Sequence, residues 1–149
     1  MKQLTFNQID LETEFVSYGR TVTETDIVQF TNLAGLKLPI FIDAEHCRRH
    51  SPFGERIAPG LLIQAFAAGM IEELMGPHTI AALGFGKSVF SGPTRIGDTL
   101  YTHSRVASKR LTATPGRGII DIAIRVLNQR QETVMQTSYT LMMHADAQS

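Results

Sequence analysis

Asp43, Glu45, His46 and His50 fall within eight positions and carry the clearest acid–base potential in the chain. A histidine beside a carboxylate can take a proton from water and deliver one elsewhere, which is general acid–base chemistry. The same residue types have a second, structural explanation. Asp43 suits the N-cap of a short helix over Ala44 to His50, where Glu45 meets the positive end and Arg48, Arg49 and His50 the negative end. A helix so charged ordinarily faces solvent, so acid–base work and a capped surface helix stand as alternatives for these side chains.

Cys47, the single cysteine, has no motif of a cysteine enzyme around it and reads as a small side chain on the same helix. Gln64 is the one polar residue from Leu61 to Ile71. A buried amide usually bonds a backbone carbonyl; in a cavity it can instead orient a ligand or a water. His103 and His144 lie in strand-like segments with no partner visible from sequence, and no metal is expected.

The elements that position these residues are organised around Leu61 to Ile71. A helix apolar on every face belongs inside something. Pro59 suits its first turn and Gly76-Pro77 supplies a stop, which predicts a helix over about 59–75. The apolar run ends at Glu72 and Glu73, short of the roughly 20 residues a membrane span needs, so a core helix is expected. Earlier, Thr23 can cap the N–H of Asp26, and Ile27, Phe30 and Ala34 make an apolar stripe that ends at Gly35, a left-handed cap. Thr13 to Val22 reads as an opening strand that Gly19 weakens. Leu36 to Ile42 is an unusually apolar loop for a connection between helices, where polar turn chemistry is the norm.

After Pro77 the period changes from helical to alternating. Ile80 to Phe85, Lys87 to Phe90 and Thr99 to Arg110 read as strands. Ile120, Ile122, Ile124 and Val126 alternate with Asp121, Ala123 and Arg125, and Val134 to His144 should pair with them antiparallel across the Asn128 to Glu132 turn. Helices followed by strands indicate α+β, with an antiparallel sheet wrapped around the long helix. One sheet cannot surround a helix apolar on all faces, so a homodimer is expected.

At 149 residues and zero formal net charge, the chain fits one domain over 1–149 with a core that needs no disulfide. No basic cluster exceeds Arg48-Arg49, which argues against nucleic acid as a partner. Met1 to Phe6 lacks the apolar segment of a signal peptide, and one cysteine forms no internal disulfide, so a reducing cytoplasm is expected, with no membrane partner.

Several blocks, in order, resemble the MaoC-like dehydratase family. They are Gly19-Arg20-Thr21-Val22-Thr23-Glu24-Thr25-Asp26-Ile27, then Pro39 with Ile42-Asp43-Ala44-Glu45, Ser51 to Ala58 with Gly60, and Gly92-Pro93-Thr94-Arg95-Ile96-Gly97-Asp98-Thr99-Leu100 with the closing pair of strands. The resemblance covers about residues 15 to 143. It implies a hot-dog fold that dimerises with ligands at the subunit boundary. It also implies a place in fatty acid metabolism, acting on acyl thioesters of coenzyme A or acyl carrier protein as (R)-specific enoyl-CoA hydratases or the reverse dehydratases do. No cofactor is implied beyond the coenzyme A of the thioester.

The chain departs from the family where the chemistry should be. The family's Gly-Asp-x-Asn-Pro-x-His motif falls on Gly35-Leu36-Lys37-Leu38-Pro39-Ile40-Phe41, so Leu36, Leu38 and Phe41 replace Asp, Asn and His. Pro59 stands where the family usually has a histidine before the helix glycine. Leu36 and Phe41 can neither take nor give a proton, and only Asp43, His46 and His50, with Glu45 beside them, are near enough in sequence to replace them. The Gly60 N–H, at a helix N-terminus, can still point at a thioester oxygen; alternatively Gly60 only lets helix and strand approach. By the same resemblance Gln64 and Leu38 would line the acyl site, and Lys37 and Arg56 would meet the phosphates of coenzyme A, unless they are ordinary surface charges.

Three functions follow as expectations: a lyase with non-standard residues, a non-catalytic acyl-CoA-binding protein or partner of an active paralogue, and a hot-dog thioesterase. The last needs a carboxylate near the helix start, whereas Glu72 and Glu73 lie at its other end.

Overall fold

The alternation from Ile119 to Val126 builds the centre of the sheet. Ile120, Ile122, Ile124 and Val126 are buried, while Arg125 faces out and Asp121 and Ala123 are half-buried. The computed structural model describes residues 4–146, leaving aside the side chains of 73–75. Its long strands are β5 (Thr99–Leu111), β6 (Arg117–Leu127) and β7 (Thr133–His144), all antiparallel; Ile122 pairs with Val106 on one side and Tyr139 on the other. The shorter strands are β1 (Glu14–Val16), β2 (Arg20–Thr21), β3 (Thr79–Phe85) and β4 (Val89–Phe90). The order is β1-β5-β6-β7-β3, with β2 paired to β5 and β4 to β7, making one seven-stranded sheet.

Four helices complete the fold: α1 (Glu24–Ala34), α2 (Pro39–Ile42), α3 (Ala44–His50) and α4 (Gly60–Met75). On α4, Ile63, Phe66, Ala67 and Ile71 join Val106, Ile120, Ile122, Leu141 and Met143 in one core. Full burial of such a side chain contributes about 1.5–3 kcal/mol, which is what holds the sheet on the helix. The α+β class and the sheet-over-helix arrangement are as expected.

The local signals act as read. Thr23 accepts from the Asp26 N–H at 3.1 Å, and the Asp26 carboxylate accepts from the Thr23 N–H at 2.9 Å, completing a capping box. Gly35 is left-handed, at φ 70°. The Asp43 carboxylate accepts from the His46 N–H at 2.8 Å and caps α3.

Several expectations are corrected. The opening strand is split into β1 and β2, because the chain crosses close over β5: a Cβ on Gly19 would lie 2.9 Å from Thr99 Cγ2 and Tyr101 Cε1. The Leu36 to Ile42 loop contains the one-turn helix α2, which Pro39 can start because its missing N–H is not needed there. Pro59 is the N-cap of α4 rather than part of its first turn. The strand over Lys87 to Phe90 shrinks to two residues. As expected of one sheet, α4 is left uncovered on one side within one chain: Leu61, Ala65, Gly69 and Glu72 form an exposed stripe, with Leu61 55 % exposed.

An N-terminal clasp was not legible. Phe6 and Ile9 are buried, and Lys109 Nζ donates to the Phe6 carbonyl at 2.9 Å and the Ile9 carbonyl at 2.6 Å. Phe6 seats against Gly118, where a Cβ would lie 2.3 Å from the ring. Among the described residues, no helix is long and apolar enough to cross a membrane.

Candidate active site at the start of the central helix

Ile57 pairs with Arg95 in an isolated antiparallel bridge, and the Ala58 N–H donates to the Thr94 carbonyl at 2.8 Å. This short ribbon delivers the chain to Pro59, whose carbonyl accepts from Leu62 N–H at 3.0 Å and Ile63 N–H at 3.4 Å. The Gly60 and Leu61 N–H groups find no partner among the described residues. Such donors, at the positive end of a helix, suit an oxygen that carries partial negative charge.

Beside them lies a hollow of about 320 Å³, walled by Phe41, Ile57, Leu61, Phe90 and their neighbours. Thr94 is the one polar side chain on that wall, and among the described residues no ionisable side chain lines it. A Cβ on Gly60 would lie 2.8 Å from Phe90 Cε1 and Cζ, so the glycine does permit a close approach of strand to helix.

Of the residues read from sequence, Phe41 and Gly60 meet on this wall. Leu36 is half-buried off the wall, its N–H donating to the Thr31 carbonyl at 3.0 Å, and Leu38 is 57 % exposed. Lys37 Nζ bonds Asn32 Oδ1. Arg56 is held by Glu24 of α1 at 2.6 Å; that hydrogen bond is the main cause of its raised pKa. Gln64 is half-buried and makes no hydrogen bond among the described residues, so the expected bond to a backbone carbonyl is absent there. Asp43, Glu45, His46 and His50 are exposed and line none of the hollow. Glu45 pairs with Arg48 and, at 2.7 Å, with Arg49, while the His46 and His50 rings stand 5.1 Å apart. Cys47 is buried, its Sγ 3.5 Å from the Pro39 and Ile40 carbonyls.

The sequence profile of the MaoC like domain matches residues 7–124. The chain belongs to the MaoC-like dehydratase family. It is 30 % identical over 133 residues to Protein MaoC of Klebsiella aerogenes, covering 89 % of this chain and 39 % of that protein. It is 32 % identical over 91 residues to 3-hydroxybutyryl-CoA dehydratase of Methylorubrum extorquens, covering 59 % and 55 %. The chain therefore spans about half or less of the curated relatives it matches. Among solved structures it resembles R-hydratase PhaJ1 of Pseudomonas aeruginosa, at TM-score 0.81 and 26 % identity over 97 % of this chain and 87 % of that one. A double hot-dog protein of Mycobacterium tuberculosis shares the fold at TM-score 0.87 and 20 % identity, over 97 % of this chain and 45 % of that one.

Two features of this MaoC-like chain lie away from the hollow. On the other flank of α4 a hollow of about 500 Å³ runs past Phe66 and Met70 to the β1–β2 break. There the Arg20 guanidinium sits 3.7 Å over the Phe66 ring and pairs with Asp26 at 3.3 Å. Burial works against the Asp26 charge, but the Thr23 hydrogen bonds and Arg20 outweigh it and hold the carboxyl below its ordinary value. At the far end of α4 the Tyr139 hydroxyl donates to Glu72 Oε1 at 2.6 Å, and Phe85 stacks on Tyr139 at 4.3 Å. Burial, then the Glu72 hydrogen bond, pushes the phenol well above its usual range. The Glu73 side chain lies outside the described residues. Sequence reading missed the Tyr139–Glu72 pair because the partners are 67 positions apart. It passed over Phe90 as a strand residue, although Phe90 precedes Gly92-Pro93 and so ends its strand at the helix start. Among the described residues, no group of three or more His, Cys, Asp or Glu can hold a metal ion.

Proposed function

We propose that this chain binds an acyl thioester at the start of α4, its carbonyl oxygen toward the Gly60 N–H, without activating water as the hydratases of its family do. The observation that carries this reading is the wall beside Gly60, where Phe41 and Phe90 stand and, among the described residues, no ionisable side chain does. The free N–H groups can polarise a carbonyl, because a helix start supplies both donors and a positive dipole end. Hydration needs more: a base to take a proton from water and an acid to protonate the α-carbon. Leu36 and Phe41 supply neither, and loss of such groups costs roughly a hundred- to ten-thousand-fold in rate. The relative named 3-hydroxybutyryl-CoA dehydratase supports a coenzyme A thioester as the ligand.

A homodimer is the acting unit in this reading. The exposed Leu61, Ala65 and Gly69 stripe, with exposed Leu83, Phe85, Val89 and Phe90 on the edge strands, supports a second copy against that side. A second reading seats a different hot-dog chain there, one that carries the missing acid and base. It is favoured by the likeness to less than half of a double hot-dog protein.

The test measures butyryl-CoA binding by calorimetry and crotonyl-CoA hydration by loss of enoyl absorbance. Binding without turnover is expected. Hydration at rates ordinary for such enzymes, abolished by Asp43→Asn, His46→Ala or His50→Ala, would overturn the reading and return catalysis to α3 and its cap. Hydration that appears only on mixing with a second hot-dog chain selects the second reading.

A further inference from the structure

We infer that the hollow between α4 and the β1–β2 break is a second ligand site, one that takes an aliphatic carboxylate. It shares no lining residue with the hollow beside Gly60, so this site is independent of the thioester reading. At about 500 Å³ it falls in the size range of small-molecule sites, roughly 300–1,000 Å³. Val16, Leu62, Phe66 and Met70 make its wall apolar, and Arg20 is the one charged side chain among the described residues that line it. An apolar trough holding a single cation suits a molecule with an apolar body and one negative charge.

The guanidinium is held in place and still has donors to offer. Its central carbon stands 3.7 Å over the Phe66 ring, a cation–π contact that keeps the side chain down against α4. Among the described residues it has one acceptor, Asp26 Oδ1, which Nη2 reaches at 3.3 Å. That is long for a charged pair, whose usual distance is about 2.7–2.9 Å. Asp26 is also engaged elsewhere, since its Oδ2 accepts from the Thr23 N–H and the Thr23 hydroxyl, each at 2.9 Å. Nε and Nη1 are left for a carboxylate, whose two oxygens match the fork of an arginine.

The trough is also kept open. A Cβ on Gly69 would meet nothing within 4 Å, so packing within the chain does not call for glycine there, although glycine weakens a helix interior. The Phe66 ring is already covered by the cation, and Val16, 53 % exposed, and the adaptable thioether of Met70 offer the tail aliphatic surface. Ala65 and Gly69 are shared with the stripe that a second copy would meet. Val16 and Arg20, however, lie toward β1, at the opposite edge of the sheet from β3 and β4, where that copy would sit.

Calorimetry with octanoate, uncharged octanol and butyryl-CoA tests this, using the full chain, Arg20→Gln and Gly69→Leu. Octanoate is expected to bind, more tightly than hexanoate by roughly fourfold per added methylene, and to leave butyryl-CoA affinity unchanged. Arg20→Gln is expected to weaken octanoate roughly tenfold or more and to leave octanol unchanged. Gly69→Leu fills the trough and is expected to abolish binding of both, with the helical circular dichroism retained because leucine is the better helix former. Displacement of octanoate by butyryl-CoA would put the acid beside Gly60 and overturn the inference. Equal weakening of octanoate and octanol by Arg20→Gln would leave Arg20 a structural role only and overturn it as well. So would undiminished octanoate binding by Gly69→Leu, and a change of oligomeric state in that variant would then assign Gly69 to the second copy. Tighter binding of benzoate than of octanoate overturns the aliphatic class. If the unaltered chain binds no octanoate, the second site falls and the thioester reading stands.

Discussion

At its N-terminal end α4 meets an apolar hollow, and the Gly60 and Leu61 N–H groups there lack partners among the described residues. At its C-terminal end the Glu72 carboxylate takes the hydrogen of the Tyr139 hydroxyl, and the phenol is buried beneath Phe85. At the far end the buried phenol has its acceptor, whereas at the near end two N–H groups have none among the described residues. A buried phenol costs stability unless it is paired, so the far end reads as structure. Donors at a helix start can remain open for a ligand, so the near end reads as a site.

The most forceful way to break that contrast is to restore acid–base groups at the near end. Leu36→Asp, Leu38→Asn and Phe41→His together are expected to raise crotonyl-CoA hydration on the order of a hundredfold or more, read from enoyl absorbance. No gain, in a variant that still binds butyryl-CoA, would mean that positions 36 and 38, which lie off the wall, do not bring their groups to the thioester.

At the far end, Glu72→Ala leaves the Tyr139 hydroxyl without its acceptor and is expected to cost about 1–3 kcal/mol in urea unfolding. Tyr139→Phe removes the need for an acceptor and should cost less, about 0.5–1.5 kcal/mol. Both should leave butyryl-CoA affinity unchanged; a parallel loss of affinity would join the two ends into one site.

Gly60→Ala sharpens the near end, since its methyl group would collide with the Phe90 ring. It is expected to cost about 1–3 kcal/mol, and markedly less in a Phe90→Ala background. Thioester binding that survives in the double variant would assign the ligand contact to the backbone N–H rather than to the missing side chain.

The smallest effect is expected away from both ends. Asp121 accepts from Ser108 at 2.6 Å and Thr140 at 2.5 Å, and the Ser108 hydroxyl foremost, then Thr140, holds its carboxyl below the ordinary value. The folded pKa is the lower one, so the unfolded chain takes up the proton first as pH falls. The stabilisation is present above the ordinary aspartate value of about 3.9 and is lost as pH drops through the folded value. Asp121→Asn should flatten that acid limb of the urea-denaturation profile by about 0.5–1.5 kcal/mol and leave ligand binding untouched.

What the sequence disclosed divides by range. The Thr23 and Asp43 caps, the Gly35 terminus and the β6–β7 hairpin rest on neighbours in the chain, and each formed where its residues predicted. The central helix was legible from its apolar run, and the family resemblance from ordered blocks. What escaped depends on partners far apart: Phe6 with Gly118, Arg95 with Ile57, and Tyr139 with Glu72. The split at Gly19 escaped for the same reason, because the obstacle it avoids is a side chain of β5. Gln64 stood out in the sequence as a polar break in an apolar helix, but the backbone carbonyl expected to take its amide is absent among the described residues.

The seat of Phe6 against Gly118 has a consequence for how the molecule is made. A ribosome releases Phe6 long before the glycine that receives it, and β1 likewise waits for β5. The emerging chain must therefore carry an unpaired strand until β5 is made and an exposed phenyl ring until β6 begins. Such late-closing contacts slow folding and lengthen exposure to aggregation, so nascent chains stalled before β6 should be the ones that chaperones capture.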